Sequence, residues 1–108
     1  MATYNDFLEA LKQALSQYAK QSWADYRDQA EADGQDFIDQ TKQDLQNWTQ
    51  QLLAGQITQQ ELKFNVNSKK SLAQLVSLKQ AGLAKVSTDK FTSGLVDVIV
   101  NTAVSTFL

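Results

Sequence analysis

The 108-residue chain contains no proline, no cysteine and no histidine. Each absence excludes something definite. Without cysteine there are no disulfides, thiolate nucleophiles or thiolate metal sites, and no redox compartment can be read from the composition. Without histidine the commonest general base, the commonest transition-metal ligand and the side chain that titrates near physiological pH are all missing. Ser-His-Asp, Cys-His and Glu-x-x-His di-iron chemistry are therefore excluded on residue type alone. Proline costs about 3 kcal/mol inside a helix, so a chain without it is free to form very long helices. Glycine is scarce, with four residues, and arginine occurs only at Arg27.

What is present is a polar–apolar alternation rich in Gln, Ala, Lys and Leu. A chain of this length holds one domain and one modest core, so residues 1–108 are expected to form a single helical domain. The clearest punctuation is Gly55-Gln56-Ile57-Thr58 followed by Glu61. Gly55 can adopt the left-handed conformation that closes a helix. Thr58 and Glu61 fit an S/T-x-x-E capping box, with Ile57 and Leu62 placed as a hydrophobic staple. A stop and restart near the midpoint divides the chain into two similar halves.

In the first half, Tyr4, Leu8, Leu11, Leu15, Tyr18, Trp23, Tyr26 and Ala30 fall on one helical face. The stripe continues through Gly34 to Phe37, Thr41, Leu45, Trp48 and Leu52, advancing about 3.7 residues per step, near the straight-helix value. The phase survives Gly34, so residues 4–54 are read as one helix; a break at Ala32-Asp33-Gly34 is the competing reading. The second half, 59–107, is less regular, with a break expected within 82–89, where Gly82 can cap one helix and Ser87-Thr88-Asp89 can start another. A strand over Val96 to Val100 lacks any convincing partner strand, so the fold class is all-α.

Folding the halves at 55–58 gives a long antiparallel hairpin in which residues equidistant from Gln56 meet: Leu8 near Val104, Phe37 near Leu75, Trp48 near Phe64. Residues 91–108 are apolar on nearly all sides, which calls for cover all round. A second copy completing a four-helix bundle supplies it, with a dimer favoured. The rival is a monomeric three- or four-helix bundle with extra breaks at Gly34 and Gly82–Ser87. The expected subunit contacts are Trp23, Trp48, Phe91, Leu95, Val96, Val100, Val104 and Phe107, since aromatics are enriched at interface hot spots.

Net charge is −2, but residues 1–55 carry four Lys/Arg against nine Asp/Glu, and residues 56–108 carry six Lys against three Asp/Glu. The hairpin register lays the acidic belt Asp25, Asp28, Glu31, Asp33, Asp36 and Asp39 beside Lys69, Lys70, Lys79 and Lys85, so the halves are expected to neutralise each other. An EF-hand alignment centred on Gly34 puts Gln29 and Gln40 where that loop needs acidic ligands. No metal or cofactor is expected. Asp25/Asp28 and Asp36/Asp39 lie off the apolar stripe, where nothing tunes them for acid–base work, so no catalytic residue is assigned. Phosphate-loop glycine motifs are absent. The lysines Lys63, Lys69, Lys70, Lys79, Lys85 and Lys90 form a modest series in an acidic protein, weak support for nucleic-acid binding.

Met1 to Phe7 does not read as a signal peptide. The longest apolar stretch, Leu95 to Val104, is interrupted by Asp97, Asn101 and Thr102 and is far short of a membrane span, so a cytoplasmic protein is expected. The function expected from shape and exclusion is a non-enzymatic, self-associating adaptor or assembly component with a possible protein partner. The alternative is binding of a lipid surface or apolar ligand by amphipathic helices.

Overall fold

Thr3 and Asp6 cap the first helix reciprocally: the Asp6 amide donates to Thr3 Oγ1 (3.2 Å) and the Thr3 amide to Asp6 Oδ2 (2.9 Å). Helix α1 (Tyr4–Ser22) then buries Phe7, Leu11, Leu15 and Ala19, one residue in four. In this computed structural model, which describes residues 2–108, the helix does not run on to Leu52. It ends at Trp23, where the backbone leaves helical geometry (φ −134°, ψ 43°), and a 3₁₀ turn at Ala24–Tyr26 leads into α2 (Arg27–Gln40). The continuous helix over 4–54 is thus corrected. No glycine or capping side chain causes this break; tertiary contact does. The Trp23 ring meets Phe91 edge-on at 5.7 Å, and Tyr18 stacks on the same ring at 5.7 Å.

Helix α2 runs back along α1. Ser16 Oγ donates to Glu31 (3.1 Å), and Tyr4 Oη donates to the Lys42 carbonyl (3.2 Å). Gly34 lies inside α2 without breaking it. A second interruption falls at Thr41 (φ −100°, ψ 9°). Its hydroxyl donates to the Phe37 carbonyl at 2.8 Å, a back-bond that bends helices. The Leu45 amide still reaches the Thr41 carbonyl (2.8 Å), so α2 and α3 (Lys42–Leu53) form one kinked rod.

Gly55 (φ 74°) closes α3. The Gln56 amide donates to Gln51 (2.8 Å) and the Gly55 amide to Leu52 (3.1 Å), the paired bonds of a Schellman end. Thr58 and Glu61 make their capping box and start α4 (Gln59–Asn67). A 3₁₀ turn at Lys70–Leu72, the short helix α5 (Val76–Gln80) and a turn at Gly82 (φ 92°) follow. Helix α6 (Lys85–Phe107) begins directly after Ala84. The break expected within 82–89 therefore ends earlier, and Ser87-Thr88-Asp89 lie inside the helix.

Antiparallel to α1, α6 pairs Phe7 with Phe107 at 5.9 Å and Tyr18 with Phe91. On its other flank α4 packs antiparallel, with Lys63 on Asp97 (3.2 Å) and Lys70 Nζ donating to Ser93 (3.2 Å). The result is four segments of alternating direction, α1, α2–α3, α4 and α6, with the short α5 packed on α2. Two rods of about 50 residues would each run roughly 75 Å, whereas the longest dimension is 42 Å. The fold is all-α, with no strand among the described residues. None of the described helices is long and apolar enough to cross a membrane.

Residues 91–103 find their cover inside the chain. Phe91, Leu95, Val96, Ile99, Val100 and Ala103 are buried by packing against α1, α3 and α4. Buried threonines satisfy themselves: Thr41, Thr49, Thr92 and Thr102 each donate to the carbonyl four residues earlier. No buried side-chain N or O among the described residues lacks a partner.

Tyr18 locks α1 to α6 by crossing Gly94 and donating to the Phe91 carbonyl (3.0 Å). A Cβ on Gly94 would stand 2.7 Å from Tyr18 Cζ. Gly94→Ala gains about 1 kcal/mol of helix propensity, but overpacking costs typically 1–3 kcal/mol. The expected net loss is about 1 kcal/mol in urea unfolding, together with a changed near-UV tyrosine signal. Gly34→Ala should cost less, because the atom met at 2.5 Å is Cδ1 of the flexible Leu15 side chain.

Burial pushes the Tyr18 phenol above its usual range, against a lowering hydrogen bond with Trp23 and with a smaller push from the Asp97 carboxylate. Tyr4 is raised by burial and then by Asp39. A raised folded-state value means the neutral phenol is favoured in the fold. That contribution is fully present below the ordinary tyrosine value of about 10 and is lost as pH rises through the folded value. Stability should therefore fall on the alkaline side of about pH 10, and Tyr18→Phe should flatten that fall in unfolding curves measured from pH 8 to 11.

Candidate functional site

The broken stretch between α4 and α6 carries the 3₁₀ turn, α5 and the turn at Gly82. Asp33, only 6% exposed, reaches from α2 to the start of α5. Its Oδ1 accepts the Ser77 amide (3.1 Å) and its Oδ2 the Leu78 amide (2.7 Å). A carboxylate from a distant helix thus supplies the cap that α5 lacks locally, since Leu75 at the N-cap offers no polar side chain. Leu75 itself is left-handed (φ 53°), a conformation costing an L-residue roughly 1–2 kcal/mol. Burial of its side chain and the grip of Asp33 on the next turn hold it there.

These elements wall an open cleft of about 690 Å³. Lys70 enters from the 3₁₀ turn, Leu75 and Lys79 from the α5 side, and Lys85, Thr88, Asp89, Thr92 and Ser93 from one face of α6. Ala73, Leu75 and Leu83 supply apolar surface. The α6 residues recur at three and four residues, the spacing of one helical face. Thr88 and Thr92 spend their hydroxyl hydrogens on the Lys85 and Thr88 carbonyls. The available donors are the ammonium groups and the Ser93 hydroxyl. Three ammonium groups against the one carboxylate of Asp89 give the lining a net positive charge.

Those lysines are not neutralised by the acidic half of the chain. The ion pairs among the described residues are Arg27–Glu31 (3.7 Å), Lys63–Asp97 (3.2 Å) and Lys69–Asp44 (3.4 Å). The acidic belt forms no ion pair with Lys70, Lys79 or Lys85 among the described residues. Asp33 binds backbone instead, while Asp36 and Asp39 accept from Gln40 (2.8 Å) and Gln35 (3.0 Å) on their own helix. Among the described residues no group of three or more acidic side chains is placed to hold a metal ion.

Of the expected subunit-contact residues, Phe91, Leu95, Val96 and Val100 are buried within the chain, each at most 2% exposed. A second copy cannot reach them while the bundle is closed. Trp23, Trp48, Val104 and Phe107 are half-buried, Trp23 against Phe91 and Phe107 against Phe7. Phe91, Leu95, Val96 and Val100 belong to the hydrophobic core, and Trp23, Trp48 and Phe107 pack against it. The lysine cleft was legible only as a loose basic series. The signal that could have located it is the loss of helical periodicity between Asn67 and Lys85.

No family model, curated protein or solved structure matches the chain.

Helix α5 hangs on Asp33, so Asp33→Ala should cost about 2–3 kcal/mol, as expected for losing hydrogen bonds to a charged acceptor. Asp33→Asn, which keeps one acceptor oxygen, should cost less. Urea unfolding measures both, and amide exchange at Ser77 and Leu78 should quicken in each.

Proposed function

We propose that this chain is a non-enzymatic interaction protein, an adaptor or assembly component that self-associates as a dimer. The observation that carries the reading is Phe64. It stands 74% exposed on α4, two residues from buried Leu62 and Val66 on either side, so it points straight out of the bundle. Aromatic side chains are concentrated in protein–protein interfaces, and a two-fold contact sets Phe64 of one copy against α4 of the other. Unneutralised acidic residues on α2 and lysines near α5 give the surface opposite charges for orienting such contacts.

A hairpin-like dimer is the second form open to self-association, and the pairing pattern favours it. Phe7–Phe107, Tyr18–Phe91, Asp33–Leu78 and Asp44–Lys69 lie at nearly equal distances either side of Gln56. Those contacts survive if the chain straightens at Ala24–Tyr26 and near Gly82; Ser16–Glu31 and Lys63–Asp97 do not. A second copy then replaces the lost pairs. Lipid binding has less support, because Leu95, Val96, Ile99 and Val100 would have to leave the core.

Sedimentation and small-angle scattering from 1 to 500 micromolar test this. We expect a concentration-dependent dimer that Phe64→Ser weakens at least tenfold. A dimer indifferent to that change and much longer than the 42 Å protomer identifies the exchanged hairpin. A monomer throughout overturns the proposal.

A further inference from the structure

We infer that the cleft between α5 and α6 binds a small organic anion, a phosphate or carboxylate head carried on an apolar body. Its volume of about 690 Å³ falls within the roughly 300–1,000 Å³ of small-molecule sites. Lys70, Lys79 and Lys85 line it, and none of them forms an ion pair among the described residues. Asp89 is the single carboxylate in the lining, so positive charge prevails.

The placement of Lys85 strengthens the argument. It occupies the first position of α6, and no acidic residue stands in that first turn. The positive end of a helix dipole disfavours a cation there, so the fold works against itself at this point. A bound anion removes the conflict. Lys70 is already oriented across the cleft by its bond to Ser93 (3.2 Å), and the Ser93 hydroxyl hydrogen remains to be donated.

The apolar part of the ligand follows from the other wall. Ala73, Leu75 and Leu83 offer a surface that a free inorganic ion leaves unused. The one arginine of the chain, Arg27, lies outside the cleft, so recognition is by ammonium point charges and not by a bidentate fork. That selects for charge and tolerates variation in the shape of the head group.

Phenyl phosphate titrated into the full chain, followed by ¹H–¹⁵N NMR, tests the site, with benzoate, inorganic phosphate and phenol as companions. The expected result is saturable shifts confined to lining amides such as Ala73, Leu75, Lys79, Lys85 and Thr88. Inorganic phosphate and phenol should each bind at least tenfold more weakly than phenyl phosphate. Lys79→Glu and Lys85→Glu change exposed side chains and should each weaken binding at least tenfold with dispersed spectra retained. Lys12→Glu, on α1 away from the cleft, should change nothing. Comparison of benzoate with phenyl phosphate decides the head group, the tighter one naming it. Shifts that do not saturate, that spread over all lysines, or that Lys12→Glu abolishes equally overturn the inference. Repeating the titration in Phe64→Ser separates it from self-association, since the cleft must bind whether or not the chain dimerises.

Discussion

A carboxylate buried between helices must be answered by donors, and Asp33 is answered by the backbone. Its two oxygens take the amides of Ser77 and Leu78, 44 and 45 residues further along. A carboxylate binding amides in a low-dielectric setting is worth more than an exposed ion pair with lysine. The consequence is topological. Those amides must point at α2, so residues 76–80 begin a new helix there and cannot continue α4. The 3₁₀ turn, the left-handed Leu75 and the turn at Gly82 all lie between that anchor and the two flanking helices. The cleft is the space left beneath this detour.

The same detour lets the bundle close within one chain. A second half that ran as a straight rod would leave α6 with α1 as its sole neighbour, and its apolar circumference would stay wet. With α4 turned back beside it, α6 contacts α1 on one flank and α4 on the other. The first half bends in concert at Trp23, where one aromatic ring, Phe91, receives both Tyr18 and Trp23. Each bend is held by contacts from a different part of the chain. Neither would be stable alone, since isolated helices of this length are marginal in water.

That explains which features the sequence discloses. The Gly55 stop and the Thr58–Glu61 cap are local interactions between residues three or four apart, so they are visible as a motif and appear in the structure as one. The all-helical class is likewise local, following from periodicity and the lack of proline. The break at Trp23 has no local cause, and its only trace is the five-residue step from Tyr18 to Trp23 in a stripe that otherwise advances by three or four. Thr41 continues the stripe, yet its hydroxyl bends the rod. Asp33 reads as one more member of an acidic face, because the amides that claim it are far away in the chain. The cleft was illegible for the same reason: Lys70, Lys79 and Lys85 are spread over 16 positions and meet only after the detour is made.

Charge shows how the division between halves is resolved. Opposite net charges in two packed halves suggest mutual neutralisation, and Lys69–Asp44 is such a pair. Elsewhere the packing separates the signs. Helix α2 turns Asp36 and Asp39 outward to glutamines on its own surface, while Lys79 of α5 lines the cleft. Exposed ion pairs contribute roughly 0–1 kcal/mol each, too little to override the burial of Phe37, Ile38 and Leu78 that sets how α2 and α5 meet. Packing therefore decides the geometry, and the charges follow it. A bundle held together by its apolar core can leave charges of both signs unpaired on its surface at little cost, because exposed pairs would add so little.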